Sequence, residues 1–390
     1  MRRLIAFVSI VLFVDTMFYA AITPLLPDLS DQYGLSKTAA GVLAAAYPAG
    51  TFVGALPGGW LAARFGVRET VVLGLGLLVA ASLAFAFGDS IVVLDVARFA
   101  QGVGGAASWA GALGWLIEAA PSERRGEMIG NSFGAAVAGS LFGPVLGAAA
   151  DELGHEAVFA AVGAIGAAMI VWALRMHAPA RGAEARFRAL FAAIADRRVA
   201  IGMWLTTLPG LLFGTINVLG ALRLGDLGAG AAAIAAAFLV AAALEAIAGP
   251  LVGRIADRRG RLIPAIVGVA GGVVAMSLLP WPQSAWVLGG LIVFAAPAIG
   301  MLYTPAMAML SDGAEAVGVA QGFAFALVNL AWAIGQTAGA AGSARLADLV
   351  GDNVPYLVLA GISALTLAML VRRLSSGAAP AWRPAANADP

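Results

Sequence analysis

Three ionisable side chains stand in the middle of long apolar runs: Asp15, Arg98 and Glu245. A charge in hydrocarbon is costly unless it meets a counter-charge, a polar group or water, so each of the three must face protein or an aqueous path. A carboxyl in such a place can take a proton from one side of a membrane and release it to the other. An arginine beside it can hold it ionised, or let go of it when the proton arrives. Asp15 lies near the centre of the first apolar run and Arg98 in the outer half of the fourth. Glu245 lies in the eighth, about two helical turns before a basic loop. If the fold brings their two helices together, pairing of Asp15 with Arg98 would offset both charges, either as a permanent link between the helices or as a contact that protonation breaks. Glu245 has no arginine in its own run, which makes it a proton carrier or a neutral acid bonded to nearby backbone.

The elements that position these groups follow from composition. Hydrophobic residues make up 61% of the 390-residue chain, charged residues only 12%, and the mean hydropathy is +0.91, so this is an integral membrane protein. Fifty glycines suit helices whose backbones approach closely in lipid. Apolar runs predict twelve spans, at 4–26, 38–62, 70–87, 91–117, 126–150, 157–174, 199–221, 230–252, 262–279, 285–310, 317–343 and 354–371. The first is too long for a cleaved signal and offers no small-residue cleavage site before Pro24 and Pro27. With the N-terminus inside, 19 of the 23 Lys and Arg fall on the cytoplasmic side and three, Lys37, Arg223 and Arg345, outside. That bias predicts a multi-pass protein of the plasma membrane with both termini cytoplasmic. The outer loops are expected to hold Asp28, Asp31, Asp89, Asp95, Asp151, Glu152 and Glu156.

The expected organisation is a six-helix bundle at 1–174, a cytoplasmic linker at 175–198, a second six-helix bundle at 199–372 and a disordered tail at 373–390. In the linker Phe187, Leu190, Phe191 and Ile194 recur at helical spacing among arginines. This fits an amphipathic helix on the inner leaflet or a solvated basic connector. No cysteine is present, His155 and His177 fall at opposite membrane faces, and the Gly102, Gly104, Gly105 cluster lies inside a span. Metal sites, thiol chemistry and a phosphate loop have no support, and neither an enzyme nor a cofactor is expected. The inner basic loops follow the topology rule and require no nucleic acid.

One short frame occurs twice. Gly59, Trp60, Leu61, Ala62, Ala63, Arg64, Phe65, Gly66, Val67, Arg68 returns 194 positions later as Gly253, Arg254, Ile255, Ala256, Asp257, Arg258, Arg259, Gly260, Arg261. Half-chain repetition of a loop between apolar runs indicates two similar bundles. The fourth run carries Arg98, Gln101, Gly102 and Gly104. The fifth carries Gly130, Gly139, Gly143, Pro144, Gly147 and Ala148, with a partial echo at Gly335, Gln336 and Gly339. The first ends in Pro24, Leu25, Leu26, Pro27. These resemble the inter-helix loop, the fourth-helix arginine motif, the fifth-helix Gly-Pro motif and the opening helix of the major facilitator superfamily, in particular its twelve-span drug/proton antiporters. The resemblance covers residues 4–372. It departs at Ala63, where the loop usually has an acid, and at Ala148, where the Gly-Pro motif usually has glycine.

The resemblance implies an all-α fold of twelve transmembrane helices in two pseudo-symmetric bundles, with Asp15 and Arg98 side by side. Gly59, Arg64, Gly66, Arg68, Gly253, Asp257, Arg258, Gly260 and Arg261 would act as conformational latches, Asp257 capping inner helix ends. Gly139, Gly143, Pro144 and Gly147 would shape the fifth helix, and with Gln336 in place of proline the kink would be confined to the first half. Glu118 and Asp312, also 194 apart, read as gate or helix-end residues. The expected walls of a substrate cavity are Tyr19, Trp109, Asn131, Asn217, Phe238, Tyr303, Phe325, Asn329 and Trp332. Acids with aromatic faces suit a lipophilic cation. The implied function is a monomeric proton-coupled efflux antiporter exchanging a small-molecule substrate for protons across the lipid bilayer. A proton-coupled importer or uniporter of a metabolite shares every feature but the Gly-Pro motif, and a scaffold or receptor leaves the buried charges unexplained.

Overall fold

A computed structural model describes residues 1–120, 125–178, 194–317 and 321–375, and all the regular structure among them is helical. The chain runs through α1 (Arg2–Ala20), α2 (Ile22–Tyr33), α3 (Lys37–Phe65), α4 (Val67–Ala86), α5 (Ile91–Ala119), α6 (Arg125–Leu153) and α7 (His155–Leu174). It continues with α8 (Arg197–Thr215), a π turn at Ile216–Gly220, α9 (Ala221–Asp226), α10 (Ala231–Arg259), α11 (Leu262–Leu278), α12 (Ala285–Gly300) and α13 (Tyr303–Ala316). After α14 (Gln321–Thr337) a second π turn at Ala338–Gly342 leads into α15 (Ser343–Val350) and α16 (Asn353–Ser375).

Among the described residues ten helical stretches are long and apolar enough to cross a membrane. The other two expected spans correspond to α11, 17 residues long, and to the interrupted run α14–α15. Helices suit this environment because every backbone N–H and C=O within the hydrocarbon must be satisfied inside the segment. Large apolar side chains accordingly point outward: Trp286 is 91% exposed and Phe294 72%. The acids expected in outer loops sit largely on helices instead. Asp28 and Asp31 lie in α2, Asp95 in the first turns of α5, and Asp151 and Glu152 at the end of α6.

Two compact units emerge, one of Met1–Ala185 with Ala221–Leu239, the other of Arg186–Gly220 with Val240–Pro390. In the first, α1 packs on α6, α3 and α4 pack on α5, and α4 on α7. In the second, α8 packs on α14 and α13, and α11 on α16 and α12. The repeat extends to single bonds. The Thr16 hydroxyl donates to the Ala136 carbonyl at 2.7 Å between α1 and α6, and the Thr207 hydroxyl to the Ala331 carbonyl at 3.1 Å between α8 and α14.

The repeated loop keeps its glycine for a conformational reason. Gly66 ends α3 at φ 109° and Gly260 follows α10 at φ 83°, backbone angles that side chains with a Cβ rarely adopt. The Asp257 side chain, the amphipathic stretch at 187–193 and the tail beyond 375 lie outside the described residues.

The fifth-span motif works by contact. A methyl at Gly139 would strike the Phe13 carbonyl and the Thr16 hydroxyl; one at Gly143, Ala20 and the Met17 carbonyl; one at Gly147, the Ala21 carbonyl and Pro24. Gly130 has nothing within 4 Å and contributes no such approach. Pro144 sits inside a helix that stays continuous, whereas the proline-free echo around Gln336 runs into the π turn at Ala338–Gly342. An irregularity of a different kind, a π turn, thus occurs in the second half without a proline. There Gly335 and Gly339 lie against the Thr207 and Leu211 carbonyls, and a closely packed backbone accommodates the extra residue. Gly139→Ala should cost about 1–3 kcal/mol through overpacking of α1 on α6. Gly134→Ala, on the same helix with nothing within 4 Å, should be neutral or slightly stabilising. Thermal melting of the two purified variants against the parent checks this pair.

Candidate functional site

In the first unit, α1, α3 and α5 bring five polar side chains, Asp15, Tyr47, Arg98, Gln101 and Trp109, to one place. Asp15 is 7% exposed and accepts two hydrogen bonds, from the Tyr47 hydroxyl at 2.5 Å on Oδ1 and from Trp109 Nε1 at 2.7 Å on Oδ2. Arg98 is 2% exposed. It donates to the Phe18 carbonyl at 3.0 Å, the Tyr19 carbonyl at 3.2 Å and Gln101 Oε1 at 3.2 Å, and its guanidinium lies 5.0 Å from the centre of the Tyr47 ring. Gln101 passes the network to the Ser82 hydroxyl at 3.3 Å, which in turn donates to the Leu78 carbonyl. The Tyr19 ring stands 5.5 Å from that of Tyr47, and Trp109 meets Phe133 edge to face at 5.5 Å.

Small residues make this cluster possible. Gly50, Gly54 and Gly58 of α3 face Phe99, Val103 and Ala107 of α5, so the two backbones touch along three turns. A methyl at Gly105 would press on the Asp15 carboxylate and lie 2.8 Å from the Tyr47 hydroxyl. The glycines of the fourth-span motif thus clear the space in which the carboxylate and the phenol meet.

The sequence expectation of a direct Asp15–Arg98 pair is corrected. Among the described residues no ion pair joins them; Tyr47 stands between, with its hydroxyl on the acid and its ring under the base. Arg98 reaches α1 at Phe18 and Tyr19, one helical turn or roughly 5 Å beyond Asp15. Tyr47, Gln101 and Ser82 were not foreseen. The available signal was a hydroxyl-bearing aromatic in mid-span, since a buried tyrosine in lipid needs a partner for its O–H.

In the second unit Glu245, on α10, lies against Gly300 at the end of α12, where a methyl would collide with its Cγ and Oε1. It is partly exposed, and among the described residues it makes no hydrogen bond or ion pair. Tyr303 opens α13 with its ring stacked on Phe213, 6.1 Å between centroids and 2° between planes. Asn217 falls in the first π turn. Phe238 on α10, within the stretch Ala221–Leu239 of the first unit, and Asn329 and Trp332 on α14 are half-buried. The side chains of Asn131 and Phe325 lie outside the described residues.

Where α10 gives way to α11, Arg261 forms an ion pair with Asp312 and donates to the Ala308 carbonyl at 2.7 Å. Asp312 is thus the acid of a helix-end link, as its position suggested. The corresponding positions in the first unit, 194 earlier, hold Val67 and Glu118, which cannot form an ion pair, and a methyl at Gly114 would meet Val67 Cγ1 at 3.1 Å. Arg68 bonds its neighbour Glu69 at 2.9 Å, and Glu118 makes no ion pair among the described residues. Among the described residues Arg64 makes no hydrogen bond or ion pair, and a methyl at Gly59 would meet nothing within 4 Å.

Comparison with known proteins bears on the family and the fold. A family model described as Major Facilitator Superfamily matches residues 8–336. An uncharacterized MFS-type transporter of Schizosaccharomyces pombe is 33% identical over 163 residues, 40% of this chain and 36% of its own length. The MFS-type transporter ppzB of Metarhizium rileyi is 32% identical over 164 residues, 40% and 34% of the two chains. The quinolone resistance protein NorA of Staphylococcus aureus is 26% identical over 170 residues, 43% and 44%. The matched stretch spans less than half the length of each of these relatives. A crystal structure of a bacterial homologue of the human lysosomal transporter Spinster, inward-facing and unoccupied, superposes with a TM-score of 0.69 at 16% identity, covering 94% of both chains. That likeness speaks for the fold. With helices, buried charges and the family match over most of its length in agreement, the chain belongs to the major facilitator superfamily of multi-pass membrane transporters and is not an enzyme.

Proposed function

We propose that the protein is a proton-coupled efflux antiporter of small lipophilic or cationic molecules, working by alternating access of two six-helix bundles at 1–174 and 199–372. The observation that carries this reading is the closure of the Gly139, Gly143, Gly147 face of α6 on α1, the helix that holds the buried Asp15. A motif that resembles the exchanger type thereby fixes the position of a proton-binding candidate. The relative named for quinolone resistance supports a lipophilic substrate. On this reading Asp15 and Glu245 take protons from outside and release them inside, while substrate leaves in exchange. The basic inner segments support a cytoplasmic-membrane location with both termini, the linker at 175–198 and the tail at 373–390 inside, and the transporter works as a monomer.

The test is transport by the purified protein in liposomes of inside-in orientation, with a lipophilic cation such as tetraphenylphosphonium or a fluoroquinolone as probe. An outside-acid gradient should drive extrusion of the probe and an inside-acid gradient should not. Uptake driven by the outside-acid gradient would turn the direction to import. Transport indifferent to pH would remove proton coupling altogether.

A further inference from the structure

We infer that Tyr47 is the positioning residue through which Asp15 and Arg98 sense each other's charge. The inference rests on the proton-coupled reading for its role in transport, and on geometry for the link itself. The two charged groups share no bond, yet both are held by one side chain, the acid by the phenol hydroxyl and the base by the ring face. The other group bonded to the Asp15 carboxylate is Trp109 from α5, and Tyr19, on the helix of Asp15, packs on the Tyr47 ring. On the remaining sides of α1, α6 brings uncharged Ala136, Gly139 and Gly143, and α7 brings Phe159 and Trp172. Arg98 is therefore the charge that answers to Asp15, and Tyr47 is the route.

The step is a proton transfer with simple balance. A proton arriving at Asp15 forms an O–H bond on Oδ1 and cancels the carboxylate charge. The Tyr47 hydroxyl keeps its own proton but rotates about its C–O bond, from donor to acceptor of the new O–H. The pair that was neutral as a whole becomes a buried cation at Arg98, one turn further along α1, still holding the Phe18 and Tyr19 carbonyls. Arg98 Nε makes no hydrogen bond among the described residues, so one donor remains available when the guanidinium shifts. A phenol fixed between the two groups lets protonation of the acid alter the grip of α5 on α1.

The indole of Trp109, bonded to Asp15, is a built-in reporter. The difference in emission between the parent and Trp109→Phe, followed as pH is lowered in purified protein, isolates its signal from the other tryptophans. In the Tyr47→Phe background, which keeps the ring, the midpoint of that signal should move by about one pH unit, the size expected for loss of one hydrogen bond to a charged group. Gly105→Ala, whose methyl would part the carboxylate from the phenol, should move it as well. Thr51→Val, one turn away on α3, should not. Arg98→Lys should move the midpoint in the parent and move it less in the Tyr47→Phe background, because coupled sites are not additive. An unmoved midpoint in both Tyr47→Phe and Gly105→Ala, or equal Arg98→Lys shifts in the two backgrounds, overturns the inference. The titration needs no transport, so a parent protein that ignores pH gradients would sink the exporter reading while leaving this link to be judged on its own.

Discussion

Asn in place of Asp15 is expected to give a folded transporter that still exchanges substrate across the bilayer but no longer extrudes it against a concentration difference when a pH gradient is imposed. The amide can satisfy both neighbours. Its oxygen accepts from Trp109 Nε1, and its NH2 donates to a Tyr47 hydroxyl that has turned to receive it. What it cannot do is carry a proton or balance Arg98. The guanidinium keeps its bonds to the Phe18 and Tyr19 carbonyls and to Gln101 but loses the nearest negative charge, which should cost about 1–3 kcal/mol rather than unfold the protein. Arg98→Met should cost more, because two carbonyls of α1 and the Gln101 amide oxygen lose their donor in a closed site. In Asp15→Asn/Arg98→Met no lone charge remains, so the double variant should be less destabilised than the two single losses add up to. Melting curves of the three variants measure that coupling. Strict additivity would mean that the two charges do not sense one another, and gradient-driven extrusion by Asp15→Asn at the parent's rate would remove Asp15 from the proton path.

The helices and the repeat were legible in the chain, and so was the presence of Asp15, Arg98 and Trp109 within apolar runs. A charge or a large aromatic group inside an apolar run announces itself by type alone. The relation between Asp15 and Arg98 was not legible, because it depends on the relative height of two helices. Gly50, Gly54 and Gly58 set α3 against α5, and Thr16 and Gly139 set α1 against α6; together these contacts place Arg98 a turn beyond the carboxylate. Tyr47 was hidden for a different reason. In a sequence a mid-span tyrosine looks the same whether its ring packs or its hydroxyl bonds, and only the close approach at Gly102 and Gly105 decides the matter here. The repeat also concealed its own exceptions. The same frame yields an ion pair at Arg261 and Asp312 but has Val67 and Glu118 at the matching positions, where none can form, and a π turn follows the proline-free echo at Gln336. Pseudo-symmetry conveys which helices pack together, while individual side chains decide what each contact is made of.

Glu245→Gln is the second replacement from which a large loss is expected, and it separates the two acids. Unlike Asp15, Glu245 has no donor holding its carboxylate among the described residues, and it is partly open rather than enclosed. A carboxylate kept in a membrane span without a partner is costly, so its presence requires a service that only a titrating group gives. Glutamine has nearly the same shape and can occupy the same place against Gly300. Folding should therefore be preserved or improved, since an unpaired charge is removed. Counterflow exchange of the probe should persist, whereas accumulation driven by the pH gradient should fall to the level reached without one. Gly300→Ala supplies a second route to the same group. Its methyl would displace the Glu245 carboxyl without altering any charge, so gradient-driven transport should weaken while pH dependence is retained. If Glu245→Gln extrudes its probe up a proton gradient as well as the parent while Asp15→Asn does not, the coupled proton travels through the Asp15 cluster of the first unit. If each single change abolishes coupling and leaves exchange, both acids titrate in every cycle, because a proton path that could bypass either would show residual accumulation in one of the variants.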